Sequence, residues 1–420
     1  MTVKSLRLRN FRNYGTQIVE FSDNLNILYG ENAQGKTNIL EAIFLCSTGR
    51  SHRTQKDAEL IKFGEESAVV ALVLERKNYG DCSIEIEIQR TGRKSILING
   101  VPQQRAGDLL GRLNCAIFSP EDLSIIKEEP ALRRRFLDMF ISQIKPVYFF
   151  NLQRYLGTLR QRNALLRQAR ENPRLLDSIG AWDMQLAEFG AMVMKERSYF
   201  IGKISGYAKK NHAQITGGRE DFSVTYDPSL KDANSGKITG GNFAGRNDGS
   251  DIQERNIGEN ITMLNVSENI KTQKVGDNIA MPNAGDNLSA LFERTLAHGL
   301  QSDAARMATQ IGPHKDDIAC LIDGKNLRLY GSQGQQRTAA LALKMAQVDV
   351  MAEETGDIPV LLLDDVMSEL DRTRQENLSS HMKTSQTFIT GAERYSPKKK
   401  SESSIIMYFN VVDGKILSEI

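Results

Sequence analysis

The sequence predicts an α/β fold with an antiparallel β supplement and an inserted helical subdomain. Three observations carry that expectation. A glycine-rich segment, GENAQGKT at residues 30–37, joins a strand pattern to a helix pattern. Strand and helix patterns alternate through the last third of the chain, as in a parallel sheet flanked by helices. Between these ends, residues 130–214 switch to helical periodicity.

Taken in order, residues 3–9 alternate with Leu6 and Leu8 on one face, and strand patterns follow at 18–21 and 26–29. A helix is expected at 37–46. Strands at 68–75, 83–89 and 94–98 come next, the last ending in an Asn99-Gly100 turn. From Leu132, Phe136 and Phe140 through Tyr155 and Leu159 the apolar positions recur at helical spacing. Pro173 interrupts them, and they resume through Trp182, Leu186, Phe189 and Val193. That pattern describes two or three long antiparallel helices whose plainest role is packing. A strand is expected at 222–226. Residues 231–288 are rich in Asn, Gly, Asp and Ser and read as a flexible insertion. Then come a helix at 289–307, a strand at 318–322, a helix at 334–351 and a strand at 359–364. A helix at 372–382 and strands at 387–390, 405–411 and 415–417 close the chain.

Composition excludes little. The 54 basic and 52 acidic residues leave a formal charge of +2, so any basic surface is local and charge alone neither implies nor excludes a nucleic-acid partner. Cys46, Cys82, Cys115 and Cys320 lack metal-ligand spacing and read as reduced thiols. The start has no secretory pattern, and the longest apolar runs are strand-sized. A soluble, cytoplasmic protein is expected.

Gly30-Glu31-Asn32-Ala33-Gln34-Gly35-Lys36-Thr37 fits G-x-x-x-x-G-K-[ST] in its proper strand–loop–helix context. The glycines let backbone N–H groups turn toward phosphates at a helix N-terminus, whose dipole favours anions. Lys36 is expected on the β and γ phosphates and the Thr37 hydroxyl on Mg2+, which makes ATP the expected ligand. The partner of such a loop is an apolar strand ending in acid, and Val360-Leu361-Leu362-Leu363-Asp364-Asp365 supplies it. Asp364 is expected to hold the metal and Asp365 to orient or deprotonate the attacking water. A third element, Gly331-Ser332-Gln333-Gly334-Gln335-Gln336-Arg337, opens the helix before that strand. Ser332 is a good N-cap there, and the first turn presents a hydroxyl and free N–H groups to an anion.

P-loop, S-x-G-Q helix start, acidic strand and Ser368-Glu369-Leu370-Asp371 together resemble the ATP-binding-cassette class. The resemblance implies an ABC-type P-loop ATPase head in which Ser332, Gly334 and Gln335 of one subunit cap the nucleotide held by another. It therefore implies an ATP-dependent homodimer, with residues 368–371 as the D-loop. Within that class the chain is similar to the RecF family, which is related to the heads of SMC proteins. The similarity rests on LRNFRNY at 8–14, the P-loop, FSPEDL at 118–123, RRRFLD at 133–138, GPHKDD at 312–317 and LDDV at 363–366. Domains follow from it: 1–115 as the N-terminal part of an ATPase lobe, 116–230 as a helical lid, 231–288 as the insertion and 289–420 as the C-terminal part of the ATPase lobe.

RecF-like function implies binding of DNA at single-strand gaps and help in loading RecA with RecO and RecR, in recombinational repair, DNA replication and the SOS response. Basic candidates for DNA are residues 133–135, Arg154, Arg160, Arg162, Arg167, Arg170 and Lys398 to Lys400, each equally readable as a solvated face. Arg12, after the first strand, is expected near the nucleotide. Asp365 is one methylene shorter than the glutamate of many relatives, which predicts slow hydrolysis suited to a switch. Two rivals are a transporter ATPase and an ATP-gated nuclease. Thr390 stands where transporter ATPases carry a switch histidine, and the nuclease needs a further acidic domain after the head.

Overall fold

The computed structural model describes residues 1–76, 80–231, 284–395 and 405–419. Most of the expected insertion and the Lys398 to Lys400 patch lie outside them. Along the chain run β1 (Thr2–Phe11), β2 (Tyr14–Glu20), β3 (Leu25–Tyr29), α1 (Lys36–Thr48), β4 (Ser67–Arg76), β5 (Gly80–Gln89), β6 (Ser95–Ile98), β7 (Val101–Pro102) and β8 (Cys115–Phe118). The middle holds α2 (Ser124–Lys127), α3 (Pro130–Ile144), α4 (Pro146–Gln168), α5 (Gly180–Thr216), β9 (Phe222–Asp227) and α6 (Ala284–Arg306). The remainder is β10 (Asp317–Ile322), β11 (Lys325–Asn326), α7 (Leu327–Tyr330), α8 (Gln333–Thr355), β12 (Val360–Asp364), α9 (Val366–Glu369), α10 (Arg372–Met382), β13 (Thr387–Gly391), β14 (Ile406–Val412) and β15 (Lys415–Glu419).

The chain forms two compact units, one of residues 1–150, 200–225 and 318–420 and one of residues 151–199 and 226–317. These cut the chain elsewhere than the boundaries at 115, 230 and 288 read from sequence. The first unit carries two six-stranded sheets, an antiparallel one in the order β2-β1-β4-β5-β6-β7 and a mostly parallel one in the order β15-β14-β3-β13-β12-β8. Only β15 runs antiparallel in the second. Its parallel strands read as short apolar runs because both faces are covered. Val360 and Leu362 face one core, shared with α1 and the antiparallel sheet, while Leu361 and Leu363 face another, shared with Leu341, Ala342 and Met345 of α8.

Two local departures from the sequence reading have simple causes. β8 was not expected, because Cys115-Ala116-Ile117-Phe118 is too short a run to show a period; its pairing with β12 in parallel register makes it an edge strand. In β1, Val3 and Leu6 are both buried although an odd number of residues apart. A register shift between Val3 and Ser5 re-phases the strand and returns both to the core.

The second unit is helical and built around Tyr155, Leu159, Leu186, Met194, Phe292 and Leu296. A buried polar network lies within it. Arg162 is fully buried and donates to Asp183 at 2.6 Å, Asp303 at 2.7 Å and Thr309 at 2.8 Å. The 312–317 motif is engaged in the same way. The Tyr155 hydroxyl pairs with His314 Nδ1 at 2.6 Å, Arg197 donates to the Pro313 carbonyl at 2.6 Å, and Asp316 accepts from Ser229 and Tyr226. Burial corrects two of the DNA-contact expectations. Arg162 is enclosed by carboxylates, and Arg133, also buried, donates to the Glu128 carbonyl at 2.9 Å. Arg154, Arg160, Arg167, Arg170 and Arg135 are exposed.

Candidate nucleotide-binding site

The loop between β3 and α1 is shaped by its glycines. Gly30 sits at φ +142°, where a Cβ would run into the Val411 carbonyl oxygen. Gly35 is the N-cap of α1 at φ +115°, and a Cβ there would lie 2.6 Å from the Asn13 amide. Neither position accepts a side chain without strain. Ala33 between them also has positive φ. Glu31, Asn32 and Ala33 are exposed, Gln34 is half-buried, and Gly35 and Lys36 are buried.

Neighbouring turns hold the loop in that form. Asn13 donates to the Gln34 carbonyl at 2.8 Å and the Tyr14 hydroxyl to the Gly35 carbonyl at 3.0 Å. The Asp413 N–H donates to the Gln34 side chain at 2.5 Å, and the Gly414 N–H to its carbonyl at 3.1 Å. Asn13 and Tyr14 fall in the 8–14 motif without a role read for either, and Asp413 and Gly414 were not singled out in the sequence. Each meets the loop only through the fold, and a polar residue in a turn carries no signal of what it will touch.

Lys36 folds back across the loop, its Nζ donating to the carbonyls of Gly30 and Glu31 at 2.6 Å each. Burial lowers its pKa, an effect that the charges of Asp365 and Asp364 partly offset. Its ammonium is thus held in a partly desolvated site lined by backbone, where an arriving phosphate meets a stronger field than in water. Next to it, Thr37 Oγ1 donates to Asp364 Oδ1 at 2.7 Å, and Thr390 Oγ1 donates to the same oxygen at 2.8 Å. A hydroxyl beside a carboxylate offers hard oxygen donors of the kind Mg2+ takes, so Thr37 and Asp364 would be the residues to hold it. Among the described residues no group of three or more His, Cys, Asp or Glu could hold a metal unaided.

Asp365 is exposed and has φ +55°, with its N–H donating to Thr390 Oγ1 at 3.0 Å. Ser368 donates to the Asp365 carbonyl at 2.8 Å. The Asp365 carboxylate is therefore presented to solvent on a tight turn at the end of β12, next to Asp364, with Ser368 Oγ 3.3 Å from its Oδ1.

Arg12 is held by protein partners on α1 and in the turn before β4. Its Nε and Nη2 form a two-pronged pair with Glu41 at 2.8 and 2.7 Å, and Nη1 donates to the Glu59 carbonyl at 2.8 Å. Through Glu41 the guanidinium braces α1. Glu41 is fully buried; burial raises its pKa, but the hydrogen bonds from Arg12 and Ser51 and the charges of Arg12 and Arg53 outweigh that and hold it below the ordinary value. Beside it His52 is pushed down to about 4, chiefly by burial.

The S-x-G-Q turn forms a separate surface. Ser332 caps α8 by accepting from the Gln335 N–H at 3.2 Å, and Gln335 returns the bond to the Ser332 N–H at 2.9 Å. Ser332, Gln333 and Gly334 are exposed. No hydrogen bond among the described residues joins them to residues 30–37. A Cβ on Gly334 would find nothing nearer than 3.9 Å, so the chain's own packing does not require glycine there.

The model of the RecF/RecN/SMC N-terminal domain matches residues 2–411. The DNA replication and repair protein RecF of Ruminiclostridium cellulolyticum is 40% identical over 420 residues, covering 100% of both chains. This chain belongs to the RecF family. A solved RecF chain, described as RecF-ATP in the RecFOR pathway, is 34% identical with a TM-score of 0.81, covering 100% of this chain and 98% of that one. The Smc head of Pyrococcus furiosus, at 16% identity and a TM-score of 0.50 over 100% of this chain and 96% of that one, shares the fold. The RecF fold seen here is thus that of an ABC-type ATPase head, and no helix among the described residues is long and apolar enough to cross a membrane.

Proposed function

We propose that this chain is an ATP-dependent DNA-binding protein of recombinational repair, in which ATP closes a homodimer on DNA. Gly30, Glu31, Asn32, Ala33, Gln34, Gly35, Lys36 and Thr37 bind the phosphates, Thr37 and Asp364 hold Mg2+, and Asp365 activates the water. Ser332, Gly334 and Gln335 act on the nucleotide of the second copy. The observation that carries this reading is the exposed, glycine-bearing cap of α8, unconnected to the chain's own phosphate loop. An exposed helix start whose Ser332 hydroxyl accepts from its own helix but keeps its proton to donate suits an anion brought by another molecule.

Hydrolysis is slow and acts as a switch, because Asp365 reaches a shorter distance than glutamate and stands exposed to solvent. The description of a solved RecF chain as a recombination mediator in the RecFOR pathway supports RecO and RecR as partners, and we extend this to loading RecA at gapped duplexes and single strands. DNA phosphates meet the exposed Arg154, Arg160, Arg167 and Arg170.

The test is sedimentation and DNA binding with and without ATP, for wild type and Ser332→Arg. ATP-dependent dimers in the wild type, lost in the variant while the monomer keeps its nucleotide affinity, are expected. Monomers in every condition would sink the reading.

A further inference from the structure

The cap of α8 is tied to the D-loop by one side chain. Arg374, in the first turn of α10, uses its guanidinium on two segments at once. Nη2 donates to the Gly334 carbonyl at 3.1 Å and to Thr338 Oγ1 at 2.7 Å, and Nε donates to Thr338 Oγ1 at 3.2 Å. Nη1 forms an ion pair with the Asp371 carboxylate, which also caps α10 by accepting from the Arg374 N–H at 3.0 Å. An Asp–Arg pair three residues apart at a helix start is ordinary and contributes little on its own. Reaching 40 positions back to the Gly334 carbonyl is not a local feature.

The geometry points to Arg374 as a positioning residue that makes the Ser332–Gly334 turn and the D-loop at 368–371 move as one body. It rests on the reading that ATP closes a dimer through Ser332. In that event a partner's nucleotide pulls on the first turn of α8, whose Gly334 carbonyl sits on Arg374. The same guanidinium holds Asp371, the last residue of the D-loop. Seating of the nucleotide is therefore transmitted to the D-loop, and by reciprocity a D-loop docked on a partner steadies the cap. The flat fork is needed for this: three of its nitrogens point at two segments, whereas the lysine ammonium is a point charge on a flexible stem. Gln335 Nε2 also donates to Glu220 at 3.0 Å and Gln336 Nε2 to the Leu327 carbonyl at 3.1 Å; neither of these bonds runs to the D-loop, as that of Arg374 does.

Full-length wild type, Arg374→Lys, Arg374→Ala and Thr338→Val should be compared. Titration of dilute protein with a fluorescent ATP analogue reads the monomer's affinity, and sedimentation with saturating ATP reads the dimer. The expected result is unchanged nucleotide affinity in all variants with dimer dissociation constants raised roughly tenfold or more. Lysine should rescue poorly, which a role in charge alone would not produce. Thr338→Val removes the acceptor Arg374 uses on α8, along with Thr338's own bond to the Gly334 carbonyl at 2.9 Å, without touching the D-loop; it should share the defect, guarding against an alanine variant that misfolds. Dimers as tight as wild type in both Arg374→Lys and Thr338→Val would overturn the inference and leave the ATP-dimer reading standing. A wild type that stays monomeric with ATP would overturn both.

Discussion

Thr37 and Asp364 lie 327 positions apart in the chain, and the Thr37 hydroxyl donates to the Asp364 carboxylate at 2.7 Å. That bond joins the two halves of the phosphate site across the sheet neighbours β3, β13 and β12. Thr390, on the strand between them, donates to the same oxygen and takes the Asp365 N–H.

Thr390→Val is expected to keep the shape and lose both bonds. Thr390 is buried, so an unpartnered Asp365 N–H and a less well held Asp364 should cost about 1–3 kcal/mol of stability. ATP turnover should fall by roughly tenfold with little change in ATP affinity, since the loss falls on the carboxylates and spares the loop. Urea unfolding and a phosphate-release assay check the two parts. Full turnover in the variant would remove Thr390 from the site.

Lys36→Ala should weaken ATP binding by about a hundredfold, on the order of 2.8 kcal/mol. The fold should persist, because Lys36 bonds only to carbonyls that the loop already exposes to ligand. Calorimetric titration with ATP, beside a far-UV spectrum, gives the answer.

Glu41 and His52 predict how stability depends on pH. Glu41 is held below its ordinary value of 4.5, so its contribution is complete above that value and is lost as pH falls through the lower, folded one. His52 is lowered from 6.5 to about 4, so the unfolded chain binds more protons between those values and stability falls as pH drops through that window. Wild type should therefore weaken first between pH 6.5 and 4. His52→Phe should flatten that window, and Glu41→Gln should be weaker than wild type at neutral pH. Denaturant midpoints measured across pH 3.5 to 7.5, a span chosen around these values, test both.

Arg160 and Arg162 stand two apart on α4 and should behave as opposites. Arg162→Ala leaves Asp183 and Asp303 buried without their cation and should cost about 3–5 kcal/mol. Arg160→Ala, at an exposed position, should leave stability within about 0.5 kcal/mol and reduce only salt-sensitive DNA binding. Thermal melts and DNA titrations at two salt concentrations separate them. A stable Arg162→Ala protein would show that the network is not what it is taken to be.

Much of this protein is local and was open to reading in the sequence. Strand β3, the glycines at 30 and 35, the helix after them and the acidic end of β12 follow from period, backbone freedom and charge over a few residues. So does the cap of α8, because a serine with a glutamine three residues on satisfies its own helix start. The tertiary structure alone decided what those parts meet. Whether an arginine is free, braced or buried depends on which carboxylates the fold brings to it. Thus Arg12 grips Glu41, Arg162 is enclosed by Asp183 and Asp303, and Arg374 of α10 reaches both Asp371 and Gly334. The edge strand β8 was likewise invisible, since four residues show no period and only pairing with β12 makes them a strand. Short-range chemistry determined the pieces of the nucleotide site; long-range packing determined which charges stand beside them.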